Sequence, residues 1–277
     1  MLPAGTKLGR TALRVTNLTK MTEFYESVVG LMVLNRGEAT STLGVEGTPL
    51  LVLEEDEEAP IRPPAGTGLY HNAFRVPSRG ALGDVLIRVR DHWHLDGATD
   101  HHVSEALYLT DPEDNGIEIY RDFSREGWPR TDDGTVRMGT DPLDLASIEA
   151  DAAGDSRVPP GTAIGHVHLE VSSTDAFRDF YVDTLGFEVQ MNVPTAWFVS
   201  AGGYHHHIGA NTWRQRTSPA QGRGLAWFEV VLPETSVLST VQERLTDRGI
   251  PLAEIDDSVV VADSDDIEIR LRAETPC

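Results

Sequence analysis

The chain has 277 residues, 40% of them apolar, enough for one large fold or two ordinary domains whose core needs no covalent staples. Its formal net charge of −21 repels phosphate, which argues against nucleic acid or an anionic membrane surface as a partner and leaves small molecules and proteins. Cys277, the single cysteine, excludes an intrachain disulfide and a cysteine-based metal site, and the lack of a signal-peptide core or a membrane-length apolar run predicts a cytoplasmic protein.

Lys7 and Lys20 are the only lysines, so almost all positive charge is arginine, and the acidic surplus is spread along the whole chain. That distribution is expected of a protein adapted to a high-salt cytoplasm, where carboxylates hold hydration and salt screens their repulsion.

From the N-terminus, LGRTALRV (8–15) alternates as a half-buried strand. A polar cap region at Thr19 then leads into an amphipathic helix carrying Phe24 and Tyr25, a stop at Gly30, and further strands. A second unit opens with GLYHNAFRV (68–76), passes through a helix, and closes on DNGIEIYR (114–121). The Gly/Pro/Asp-rich segment after it reads as a connector with one short helix near its centre. Next, IGHVHLEVSSTDAFRDFYVDTLGFEVQ (164–190) repeats the opening unit without a gap, including a cap region at Ser173 to Asp175: Gly165 matches Gly9, Leu169 matches Leu13, Phe180–Tyr181 match Phe24–Tyr25, and Gly186 matches Gly30. GLAWFEVVLPETSVLSTVQERLTDRG (224–249) and SDDIEIRLR (264–272) repeat the second unit more weakly. An α+β protein of four βαβββ modules follows, with an N-terminal module pair at 1–123, a connector at 124–160 and a C-terminal pair at 161–277.

Four such modules, with HVHLEV opening one and DPEDNGIEIY closing another, resemble the vicinal oxygen chelate superfamily of glyoxalase I, bleomycin-resistance proteins and type I extradiol dioxygenases. GLYHNAF, SEALYLTDPEDNGIEIY and AGGYHHHIGANTW are most similar to its bacterial catechol 2,3-dioxygenase branch, and the resemblance covers nearly everything except the connector. It implies that two modules form each of two barrel-like cups, with a metal inside.

Carried over residue by residue, the resemblance places metal positions on His71 and Glu118 in module 2 and on His166 in module 3. The matching positions of modules 1 and 4 are Arg10, Trp227 and Glu268; neither arginine nor tryptophan ligates, so Glu268 is an orphan expected in a surface or inter-strand pair. Modules 2 and 3 are thus expected to form the active cup, and modules 1 and 4 a structural one. Two imidazoles and one carboxylate make the triad that holds non-haem Fe(II), with Mn(II) the alternative the same donors accept. His168 lies two residues beyond His166 on the same strand face and reads as a supporting or core residue.

The same resemblance assigns the acid-base histidine to the run His205–His207, on His206, if strand alternation turns His205 and His207 to the opposite face. The register stays open, and either neighbour could be the inward one. Leu50 occupies the matching place in module 1. HHVSEALYLTDPEDNGIE (101–118) follows the extradiol signature: His101 fits its spacer, His102 is one residue too close, Tyr108 is the tyrosine and Glu118 the ligand. Asp114 departs from the usual glycine or proline. The expected activity is extradiol cleavage of a small aromatic diol by O2, with His206 exchanging protons and His101 and Tyr108 donating hydrogen bonds to the substrate oxygens. A glyoxalase-type isomerase and a binding protein of the bleomycin-resistance kind are the alternatives. Which catechol is cleaved and whether the chain forms a homo-oligomer are left open.

Overall fold

Each module expected from the repeat is present in the computed structural model, which describes residues 1–132 and 134–274; Cys277 lies outside the described residues. Module 1 contains β1 (Lys7–Val15), α1 (Leu18–Phe24), β2 (Met32–Arg36), β3 (Thr40–Val45) and β4 (Thr48–Glu55). Module 2 contains β5 (Gly68–Arg75), α2 (Arg79–His92), β6 (Gly97–Asp100), β7 (Ser104–Thr110) and β8 (Gly116–Asp122). The connector carries a two-residue strand, β9 (Asp141–Pro142), which the sequence did not announce, and its short helix α3 (Leu145–Ala150). Module 3 contains β10 (Ala163–Glu170), α4 (Thr174–Phe177), β11 (Glu188–Val193), β12 (Ala196–Ser200) and β13 (Ile208–Asn211). Module 4 contains β14 (Gly224–Leu232), α5 (Thr235–Asp247), β15 (Ala253–Ile255), β16 (Ser258–Ala262) and β17 (Glu268–Ala273).

The strands form an 8-stranded sheet, ordered β15-β16-β17-β14-β1-β4-β3-β2, and a 9-stranded sheet, ordered β11-β12-β13-β10-β5-β8-β7-β6-β9. Modules 1 and 4 therefore share one sheet, and modules 2 and 3 share the other. Both sheets are open: β15 and β2 end the first, β11 and β9 the second.

The chain divides into two compact units, each assembled from separated stretches. Among the described residues, one comprises Met1–Ala12, Pro60–Tyr70 and 166–274; the other comprises Leu13–Ala59 and His71–Gly165.

Local chemistry repeats with the modules. The cap of α1 is Asn17, whose side chain accepts from the Lys20 amide at 2.9 Å, two residues before the expected Thr19; Ser173 caps α4 through the Ala176 amide at 3.3 Å, as read from the sequence. Both helices widen into π-helical stretches (Tyr25–Val29 and Arg178–Leu185), which end at Gly30 and Gly186 with φ of 89° and 95°, a left-handed conformation that favours glycine.

Each compact unit also contains the same buried brace. In one, the Tyr25 hydroxyl donates to Asp111 at 3.0 Å, and Asp111 also accepts from the Glu113 and Asn115 amides at 2.8 and 3.0 Å. In the other, Tyr181 donates to Asp263 at 2.9 Å, and Asp263 accepts from the Asp265 and Ile267 amides at 2.9 and 3.0 Å. The two carboxylates close the tight turns before β8 and β17. In those turns Asp114 and Asp266 sit at φ 66° and 60°, so the departure at Asp114 is a position that aspartate tolerates.

Burial pushes Asp111 and Asp263 up from 3.8 to about 6, against hydrogen bonds that pull them down. A carboxyl raised in the folded state contributes stability that is complete below its unfolded value and is lost as pH rises through the folded one. Denaturant unfolding should show Asp111→Asn removing a fall in stability on the order of 2–3 kcal/mol between about pH 4 and pH 6.5. A variant profile parallel to the wild type over that window would refute the assignment.

Candidate metal centre

Strand register places one half of the centre. β5 and β8 pair in parallel with Ala73 opposite Glu118, and β7 pairs antiparallel with β8 so that Tyr108 stands opposite Glu118. His71 and Glu118 are both buried, and His71 Nε2 lies 3.1 Å from Glu118 Oε2. The Tyr108 ring centroid is 5.8 Å from that of His71.

His101, just after β6, makes two hydrogen bonds: Nδ1 with the Gly139 carbonyl at 2.8 Å and Nε2 with the Tyr108 hydroxyl at 2.6 Å. A carbonyl only accepts, so Nδ1 carries the proton, and in the neutral ring Nε2 accepts from Tyr108. His101 is therefore held by the connector and acts on Tyr108. His102, which fell outside the signature spacing, turns to Asp141 at 2.7 Å.

His166 on β10 is 1% exposed, and the His206 ring centroid lies 4.1 Å from its own, against 6.2 Å for His205. The histidine run lies in a bend before β13, not inside a strand. Alternation therefore does not sort it, and all three imidazoles are buried. The cause was visible in the sequence: Gly202 and Gly203, with φ of 63° and 65°, make a turn that interrupts the strand pattern. His207 is tied into the backbone, its amide donating to Val199 at 2.8 Å and its Nδ1 accepting from the Ala201 amide at 3.2 Å. His205 and His206 share an Nδ1–Nδ1 hydrogen bond of 2.8 Å.

Ligand atoms of His71, Glu118 and His166 all lie within 4.8 Å of one another, so these residues could hold a metal ion. The donor set suits one: two imidazoles supply nitrogen lone pairs, and a buried carboxylate gains from a compensating cation. His168 points to other partners. Its Nε2 accepts from Asn211 Nδ2 at 3.1 Å, and its ring packs among those of Tyr70, Phe198 and Trp213.

Around the corresponding positions of modules 1 and 4, Arg10, Trp227 and Glu268, two guanidinium groups gather instead. Arg10 donates through Nε to Glu229 Oε1 at 3.0 Å and through its backbone amide to Glu229 Oε2 at 2.8 Å. The Arg10 and Arg270 guanidiniums lie 5.4 and 3.9 Å from the Trp227 ring. Glu268 accepts from Arg270 Nε at 2.8 Å, a pair two residues apart along β17. Glu229, the buried anchor of Arg10, was not singled out from the sequence; its only signal was a carboxylate at an alternate, inward position of an apolar strand.

The sequence profile of the glyoxalase/bleomycin resistance protein/dioxygenase superfamily matches residues 7–119 and 163–263. The chain belongs to this superfamily. Among its relatives, a protein of Bacillus subtilis (strain 168) named catechol-2,3-dioxygenase is 40% identical over 268 residues, covering 93% of this chain and 94% of the relative. Biphenyl-2,3-diol 1,2-dioxygenase 3 of Rhodococcus globerulus is 29% identical over 130 residues, 42% of this chain and 63% of the relative. The fold is shared with solved superfamily structures at low identity. A Bacillus subtilis protein with a provisional dioxygenase designation aligns at TM-score 0.68 and 15% identity, covering 100% of this chain and 87% of its own; glyoxalase I of Zea mays aligns at 0.59 and 13%, covering 96% and 92%. No helix among the described residues is long and apolar enough to cross a membrane.

If the three-residue group is a metal site, equilibrium dialysis should find one divalent ion per chain, with affinity reduced at least about a hundredfold in His166→Ala. Unchanged affinity in that variant would exclude His166 as a ligand.

Proposed function

We propose that this chain is a non-haem iron(II)-dependent extradiol dioxygenase that opens a catechol-type ring beside its diol with O2. The observation that carries the reading is the buried His71–Glu118–His166 group, with His206 against His166 and Tyr108 against His71. The relatives named as catechol and biphenyl-diol dioxygenases support it. An isomerase has no evident use for His206, His101 and Tyr108 beside such a group.

His71, Glu118 and His166 would hold the ion. The chemistry iron(II) supplies at such donors is chelation of a vicinal diol, acidification of its hydroxyls and binding of dioxygen. Both oxygen atoms enter the 2-hydroxymuconic semialdehyde-type product, so the reaction needs no external reductant. His206 accepts a proton from the diol and returns it later, a task suited to an imidazole near neutrality. Its Nδ1 bond to His205 orients the ring and gives a partner with which that proton is shared. Tyr108, whose ring lies 5.8 Å from that of His71, offers its hydroxyl oxygen to the substrate, and His101 is the positioning residue that sets the hydroxyl's direction. The low exposure of His71, Glu118, His166 and His206 keeps water from competing for these hydrogen bonds.

Anaerobic reconstitution with Fe(II) in high salt, followed by catechol and air, should give the yellow ring-fission product. His206→Ala should bind iron normally and lose at least about a hundredfold in kcat; normal turnover would sink its role. Tight metal binding without colour over a panel of catechols would instead indicate an isomerase, and no metal binding a binding protein. Because His101 acts through Tyr108, His101→Gln, Tyr108→Phe and the double variant should lose similar factors in kcat. Additive losses would mean that His101 works independently.

A further inference from the structure

β10 carries His166, His168 and Glu170 at alternate residues, hence on one face. The His168 ring lies 5.1 Å from Tyr70, 5.5 Å from Phe198 and 5.6 Å from Trp213, and the Phe198 ring lies 5.1 Å from His206. An aromatic wall therefore runs from the candidate base at His206 out to Trp213, which is 50% exposed. Such a wall offers edge and face contacts to a flat aromatic ligand.

At its outer end the charge reverses sign. Glu170 is buried, and three guanidiniums converge on it: Arg62 Nη2 at 2.9 Å, Arg216 Nη2 at 3.1 Å and Arg214 Nη1 at 3.5 Å. One carboxylate offsets one of the three, leaving two positive charges in a chain whose net charge is −21. Burial foremost, and the repulsion of Arg216 and Arg214, hold Arg62 below its ordinary value. Arg216 is largely buried, donates to the Pro64 carbonyl, and keeps an Nε–H with no acceptor among the described residues. Arg214 differs from both. Its side chain is 59% exposed, its pairing with Glu170 is the longest of the three, and it lies 5.7 Å from the centre of the Tyr70 ring. A guanidinium so weakly committed and stacked on an aromatic wall is suited to take a second carboxylate.

We propose that His168, Phe198 and Trp213 receive the ring side of the substrate and that Arg214 binds a carboxylate on it, so that the preferred substrate is a catechol bearing an anionic side chain. This rests on the ring-cleavage reading above. Glu170 lies about 13 Å along the strand from His166, a span that a dihydroxyphenyl ring, a short carboxylate chain and the Arg214 side chain cover together. The spare positive charge also has a physical use: an acidic protein repels an anionic substrate unless the field near the site is locally reversed.

The test compares 3,4-dihydroxyphenylacetate with its uncharged amide on the Fe(II)-loaded protein, by ring-fission kinetics in air and by calorimetric binding without oxygen. The acid should be favoured at least about tenfold in kcat/KM, through KM, and in affinity. The acid-to-amide ratio should fall toward one in Arg214→Gln, be largely kept in Arg214→Lys, and shrink as salt rises from about 0.1 to 1 M. Equal use of acid and amide by the wild type, or an unchanged ratio in Arg214→Gln, would overturn the proposal and leave the arginines as structural ties of the segment after β13. If neither ring is opened, binding still decides: tighter, Arg214-dependent binding of the acid upholds the anion site while ring cleavage falls, and equal binding refutes the anion site.

Discussion

The 3.1 Å approach of His71 Nε2 to Glu118 Oε2 in the nine-stranded sheet is the constraint around which the rest of the candidate centre is arranged. A carboxylate this buried is costly unless a proton, a cation or several donors compensate it. Placing it on β8, in parallel register with β5 and opposite Tyr108 on β7, fixes three side chains at once without any loop having to hold them. Strands give that precision because neighbouring backbones are held at a fixed spacing by ladder hydrogen bonds.

The contrast between equivalent positions shows what the repeat conserves and what it does not. Tyr25–Asp111 and Tyr181–Asp263 recur as the same buried brace, because every module pair needs its tight turn closed by a carboxylate accepting backbone N–H groups. The positions that hold His71, Glu118 and His166 hold Trp227, Glu268 and Arg10 elsewhere. There Arg10 is neutralised by buried Glu229, and Arg270 lies over Trp227. Positive charge thus stands where its counterpart offers donors for a cation, and the two arrangements cannot do the same chemistry.

The local steering of charge follows from composition. The 44 acidic residues of the chain outnumber its 23 basic ones, so like charges repel one another over its surface. The same repulsion acts on any anionic ligand. Concentrating Arg62, Arg214 and Arg216 around one buried carboxylate reverses the sign over a small area without altering the whole. The aromatic wall beside it adds a flat surface of side chains with little rotational freedom to lose.

Much of this protein was legible in its sequence. Exact alignment of Gly9, Leu13, Phe24 and Gly30 with Gly165, Leu169, Phe180 and Gly186 announced the four modules, since a repeated pattern of alternation, helix and glycine stop has one local solution. The types of residue at positions 71, 118 and 166 also marked modules 2 and 3 as those that bring metal donors together. Other features escaped because they depend on groups distant in the chain. Gly139 orients His101 from the connector, Glu229 anchors Arg10, and Asn211 holds His168. His205–His207 form a bend where alternation predicts a strand, because the turn at Gly202 and Gly203 breaks the strand before them. Sequence by itself determined the modules, their glycine-stopped helices and the inventory of donors, because these follow from local sterics and periodicity. Only the tertiary structure decided which imidazole of the run lies against His166, what His101 touches and where the arginines gather, because hydrogen bonds and charge pairs depend on distances that the chain order does not set.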